Sequence, residues 1–111
     1  MAIMEITKEN FEAEFKNSPL PAVLDFWGPR CGHCMALMPG YHELADSPKY
    51  SGKIKFCSVD TSTNRRVAMM VRPAVMALPT FIFYKGGQEA ARLGGNNLTI
   101  EKITAKLDEL V

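Results

Sequence analysis

Apolar side chains follow two rhythms along this chain. Ala22 to Trp27 is apolar on both faces of an extended strand, the pattern of a strand buried within a parallel sheet, and only Asp25 breaks it. Ile54 to Val59 also has strand character, and Leu78-Pro79 leads as a loop into the apolar Thr80-Phe81-Ile82-Phe83-Tyr84. Lys85-Gly86-Gly87-Gln88 then predicts a hairpin turn into Glu89 to Leu93, and Ile3 to Ile6 a short edge strand.

Helical spacing alternates with these strands. Thr7 is placed to cap a helix carrying Phe11 and Phe15 on one face and ending before Pro19. A second helix runs from Met35 toward Ala45, with Leu37, Met38, Tyr41, Leu44 and Ala45 on its apolar side and a kink at Pro39, which removes a backbone donor. Ser47 to Gly52 is a loop, and Arg65 to Val71 a helix closed by Arg72-Pro73. The last helix is the clearest: Thr99 caps it, Leu98 staples onto Ile103, and Ile100, Ile103, Leu107 and Leu110 share a face. Strands interleaved with helices, closing on a hairpin and a helix, predict an α/β fold with a mixed central β-sheet flanked by helices on both faces.

At 111 residues the chain is the size of one domain, 1–111, large enough for one core. Thirteen Lys and Arg against 12 Asp and Glu leave it nearly neutral, which argues against a nucleic-acid partner. No stretch is long enough to span a bilayer, and the first residues show no secretory signal, so a cytoplasmic monomer is expected.

Three cysteines make no disulfide framework, yet Cys31-Gly32-His33-Cys34 stands where the first apolar strand turns at Gly28-Pro29 into a helix. Residues three apart in a first helical turn lie on nearly one face, so the two sulfurs are close enough to bond. Unpaired amides and the helix dipole favour a thiolate at Cys31, making it the better nucleophile. A protonated His33 adds a second positive charge beside that sulfur, and Arg30 acts in the same direction. Asp25, desolvated within its strand, is expected to hold a raised pKa and to be able to move a proton. The competing readings are a zinc half-site for the cysteines and, for Asp25, a hydrogen bond to backbone or to Lys53 or Lys55. Cys57 reads as a small buried side chain, His42 as a surface histidine, and Met35, Met38, Met69, Met70 and Met76 mostly as core filler, with Met76 an exception.

The Cys31 segment resembles the active site of the thioredoxin family. Phe26-Trp27, Cys31-Gly32-x-Cys34 and Pro39 match that family's strand, active-site turn and kinked helix. Asp25, Val59-Asp60, Leu78-Pro79-Thr80-Phe81, Lys85-x-Gly87 and Gly94 extend the match over nearly the whole chain. Two features depart from it: Arg30 stands where members usually carry a second Trp, and His33 replaces the usual Pro, which is similar to the protein disulfide isomerase motif. The stretch between Asp60 and Pro79 is also a few residues longer, around Met69-Met70-Val71-Arg72-Pro73.

The resemblance implies the thioredoxin fold, a cis Leu78-Pro79 bond facing Cys31, and a docking groove framed by Trp27, Gly32, Met76, Ala77, Leu78 and Pro79. It also implies that Asp25 lies beneath Cys34 and helps deprotonate it. The expected activity is reduction of protein disulfides: Cys31 attacks, Cys34 resolves, and an NADPH-dependent thioredoxin reductase restores the dithiol. No metal or organic cofactor is needed beyond the reversible Cys31–Cys34 disulfide. The alternative within the same chemistry is a more oxidising oxidase or isomerase, motivated by His33 and Arg30. A zinc or copper module using Cys31, Cys34, Cys57 and a histidine, and a redox-inert subunit, are the alternatives outside it.

Overall fold

A computed structural model describes residues 3–16 and 18–111, with the side chain of Lys16 left aside. Met1, Ala2 and Asn17, which the expected amino terminus and first helix include, lie outside the described residues. Five strands, β1 (Ile3–Glu5), β2 (Ala22–Trp27), β3 (Lys55–Asp60), β4 (Thr80–Lys85) and β5 (Gln88–Gly94), form one sheet in the order β1-β3-β2-β4-β5. The helices are α1 (Gly32–Asp46), α2 (Arg65–Met70) and α3 (Ile100–Leu110).

β1, β3 and β2 run parallel, while β4 and β5 run antiparallel to their neighbours, so the sheet is mixed as expected. Every residue of β2 from Ala22 to Phe26 is buried, as a central strand covered on both faces must be. Side chains alternate between two cores. Leu24 and Phe26 join Phe11, Phe15, Val59, Val67 and Ile82 on one face. Val23 joins Leu37, Tyr41, Phe56, Phe81, Ile103 and Leu107 on the other, against α1 and α3. Each fully buried Phe or Leu contributes about 1.5–3 kcal/mol.

That alternation places Asp25 on the same face as Val23, under α1. β2 and β3 both point their carboxyl ends toward the start of α1, and their following loops meet there: the Thr61 amide donates to the Trp27 carbonyl at 2.9 Å. The β4–β5 hairpin closes through Gly86 and Gly87, whose φ values of 63° and 79° suit the turn that the strand twist requires.

Four expectations are corrected. The first helical segment is a π-helical turn, Glu12–Lys16, and not an α-helix. Its entry is fastened by the Thr7 amide donating to Asn10 Oδ1 at 2.8 Å, not by a Thr7 cap. Periodicity over one turn cannot separate α from π geometry, and Phe11 and Phe15 are both buried, with ring centroids 5.7 Å apart. α1 begins at Gly32 rather than Met35, which draws the redox turn into the helix itself. The methionines expected as core filler are not buried: Met35 and Met69 are exposed, Met38 is half-buried, and Met70 is half-buried against the first core, while Met76, the expected exception, is exposed. Aromatic and branched residues already fill both cores, so the thioethers are left at the rims. Lys55, which the competing reading of Asp25 named as its partner, is engaged elsewhere: its Nζ donates to the Glu14 carbonyl at 2.8 Å and pairs with Glu14 Oε1 at 3.2 Å.

Candidate active site

Cys31 and Cys34 are joined as a disulfide, with their Cα atoms 5.2 Å apart. Cys31 occupies the N-cap of α1 in an extended conformation, and its sulfur accepts the backbone N–H of Cys34 at 3.1 Å. The cap role that an Asp or Ser oxygen usually fills is here taken by sulfur, so an amide at the positive end of a 15-residue helix already points at the atom that would carry negative charge. α1 has no acidic residue in its first turn to oppose that charge. The two sulfurs differ in access: Cys31 is half-buried, whereas Cys34 is 2% exposed and covered by the fold. A partner can therefore reach Cys31 and not Cys34.

Asp25 is buried at 2% exposure, and its Oδ1 has no hydrogen-bond partner among the described residues. Desolvation pushes its pKa up from the usual 3.8 to about 8. The carboxyl is thus mostly protonated at neutral pH and able to exchange a proton near it. Tyr41, on the same face, spends its hydroxyl on the Cys57 carbonyl at 2.7 Å. Cys57 itself is fully buried in β3, and burial pushes its thiol up to about 12. Among the described residues no group of three or more His, Cys, Asp or Glu is placed to hold a metal ion.

Gly32 is exposed on the turn between the cysteines. His33 is half-buried, and its Nε2 lies 2.9 Å from the Leu98 carbonyl oxygen, binding the redox turn to the segment before α3. Arg30, exposed, joins Gly28, Pro29, Cys31, Thr61, Ser62 and Leu78 in lining a shallow cleft beside the reactive sulfur. The Leu78–Pro79 bond is cis, as the resemblance implied, and so is Arg72–Pro73, which sequence gave no reason to expect. Thr80 Oγ1 donates to the Ala77 carbonyl at 2.6 Å and holds this loop in place. Gly28 fits tightly under Leu78, where a Cβ would lie 3.2 Å from Leu78 Cδ1.

The expected docking residues divide between surfaces. Leu78 shares the Cys31 cleft, and together with Met76 and Ala77 it also lines an adjoining groove. Trp27 opens onto a different groove, with Met38 and His42 of α1. Thr61, Ser62 and Arg65 are lining residues that sequence reasoning missed. They follow β3, and the carboxyl ends of parallel strands are where α/β sites assemble, so the strand pattern held that signal.

The protein family described as Thioredoxin matches residues 2–109 of this chain. A thioredoxin of Peptoclostridium acidaminophilum is 36% identical over 105 residues, covering 95% of this chain and 92% of that protein. Thioredoxin 1 of a Nostoc strain is 35% identical over 94 residues, covering 85% of this chain and 84% of its own length. The crystal structure of Malassezia sympodialis thioredoxin, described as a member of a pan-allergen family, superposes with a TM-score of 0.83 at 27% identity, over 97% of this chain and 90% of that one. These relatives do not favour the oxidase or isomerase alternative. No helix among the described residues is long and apolar enough to cross a membrane. By fold, redox disulfide and relatives alike, the chain belongs to the thioredoxin family, and thiol–disulfide exchange is its chemistry.

Proposed function

We propose that this chain is a protein-disulfide reductase in which Cys31 is the nucleophile, Cys34 the resolving thiol and Asp25 the proton acceptor. The observation that carries this reading is the Cys34 amide donating to Cys31 Sγ at the start of α1, with Cys31 accessible and Cys34 covered. The Cys31 thiolate attacks one sulfur of a substrate disulfide; a Cys31–substrate bond forms, and the substrate's other sulfur leaves as a thiolate. Cys34, losing its proton to Asp25 in the fraction of molecules whose carboxyl is ionised, then attacks Cys31 Sγ. The Cys31–Cys34 bond forms, and the second substrate sulfur departs and is protonated. Two electrons have passed to the substrate, and a reductase must return them.

Leu78, Pro79, Met76 and Ala77 belong to the docking surface, Trp27 and Gly32 border it, and His33 and Arg30 tune the couple. In this reading residues 1–111 are one thioredoxin domain acting as a cytoplasmic monomer. It requires no cofactor beyond its own disulfide and draws electrons from NADPH through a thioredoxin reductase. Electron transport to protein disulfides and maintenance of the cell's redox balance follow from that cycle.

The test is insulin-disulfide reduction with a thioredoxin reductase and NADPH, repeated with Cys31→Ser. Turnover that disappears in the variant is expected. Equal turnover in both proteins would end the assignment.

A further inference from the structure

The longer connection between Asp60 and Pro79 does not simply loop out. The Val75 amide donates to the Ala68 carbonyl at 2.9 Å, and Arg72 Nη1 donates to the Met69 carbonyl at 2.8 Å, so its backbone is pinned against α2. Pinning it there builds a groove lined by Thr61, Arg65, Ala68, Met69, Val75, Met76, Ala77 and Leu78. Thr61 and Leu78 also line the Cys31 cleft, so the two depressions are one continuous surface leading away from the reactive sulfur.

Its walls are apolar and adaptable. Met69 is 51% exposed and Met76 84%, the two most exposed methionines of the described residues. Flexible thioethers conform to varied apolar side chains without strain. Its charged groups are all positive: Arg30 stands at the Cys31 end and Arg65 at the other, and no Asp or Glu lines either depression. The side chain of Arg65 makes no hydrogen bond or ion pair among the described residues. Arg65 also lines the depression on its far side, where Lys8 and Arg66 outnumber the single acid, Glu9.

We propose that this extension receives the chain flanking the attacked cysteine of a protein disulfide, and that it selects apolar segments bearing acidic residues. The inference rests on the reductase reading above and narrows its substrate class. Two features argue for this occupant: the surface is continuous with the cleft where the substrate sulfur must sit, and its cationic rim complements an acidic chain. Rim pairs of this kind act chiefly on encounter and selectivity and weaken with salt.

The test compares two synthetic peptide disulfides, one with Leu and Glu on both sides of its cysteine, the other with Leu and Lys, beside the neutral 2-hydroxyethyl disulfide. With the full chain, kcat/KM for the acidic peptide should exceed that for the basic one by about fivefold at low salt, the scale of one or two exposed ion pairs. Arg65→Glu should reverse the order, and Met69→Gln with Met76→Gln should slow both peptides. Neither change should alter reduction of 2-hydroxyethyl disulfide. Far-UV circular dichroism and an unfolding midpoint like the parent's would show that the variants fold. Equal rates for the two peptides, or an order that Arg65→Glu leaves intact, would overturn the groove's selectivity while leaving the reductase reading standing. Failure of the parent chain to reduce any of the three would instead remove the reductase reading.

Discussion

The imidazole of His33 meets the carbonyl of Leu98, its Nε2 2.9 Å from that oxygen and 65 residues away in sequence. A side chain expected to act by charge on the neighbouring sulfur is therefore also a tether between the redox turn and the staple residue of α3. Nε2–H donates in the neutral Nε2–H tautomer as well as in the protonated imidazole, so the tether does not require His33 to be charged.

A donor without charge should preserve that function. His33→Gln is expected to keep the reduction potential within about 30 mV of the parent, which is about 1.4 kcal/mol for a two-electron couple. His33→Pro, which has no donor, should lower amide-exchange protection around Leu98 by about fivefold, one neutral hydrogen bond of roughly 1 kcal/mol. Equilibration with glutathione and hydrogen exchange measure the two. An equal fall in potential in both variants, toward the about −270 mV that is the reference value of thioredoxin itself, would return the effect to imidazole charge.

Asp25 makes stability depend on pH. Its carboxyl titrates near 8 in the fold but near 3.8 when exposed, so between those values the folded chain holds a proton that the unfolded chain has lost. Stability should therefore fall as pH rises from 4 to 8, by at most about 1.4 kcal/mol per pH unit, and level off above. Asp25→Asn removes the dependence and is expected to be the more stable protein at pH 9. Urea unfolding across pH checks this, and a parent curve that is flat from pH 5 to 8 would contradict it.

The same carboxyl should limit resolution. With Asp25→Asn, loss of the mixed disulfide by Cys34 attack is expected to slow on the order of 10²-fold, the lower range of general-base effects, while Cys31 attack is spared. Rapid mixing with a chromogenic disulfide separates the two phases. Equal slowing of both would assign Asp25 to positioning instead.

Trapping distinguishes the two sulfurs. Cys34→Ser should accumulate a covalent adduct with a protein disulfide through Cys31, and Cys31→Ser should form none, as mass spectrometry of the intact adduct would report. The exposures of the two residues leave no other order, since Cys34 is covered.

Gly94 in β5 approaches the loop before β4 so closely that a Cβ there would lie 2.9 Å from the Pro79 carbonyl oxygen. Because the obstacle is backbone, Gly94→Ala should cost about 1–3 kcal/mol in unfolding free energy and lower insulin reduction by displacing Leu78 from Cys31. Unchanged stability with unchanged turnover would mean the strands part without consequence.

Strand and helix positions, the Thr99 cap and the Cys31–Cys34 pairing were legible along the chain, because each depends on residues within a few positions of one another, and the mixed sheet followed from the order of those elements. The Thr99 hydroxyl accepts the Lys102 amide at 3.2 Å as its spacing required. Asp25 was legible as well, since a carboxyl amid apolar strand residues has no solvent to turn to.

Local pattern was silent wherever distant segments compete for one group or one space. Lys55 went to Glu14 rather than Asp25, His33 reached Leu98, and the methionines were left at the surface once aromatic rings had filled the cores. Likewise, the groove beside Leu78 exists only because the chain after α2 folds back onto Ala68. The chemistry of the two sulfurs is written in a four-residue spacing and a helix start; which surface surrounds them depends on how remote pieces of backbone pack, and packing is a property of the whole fold.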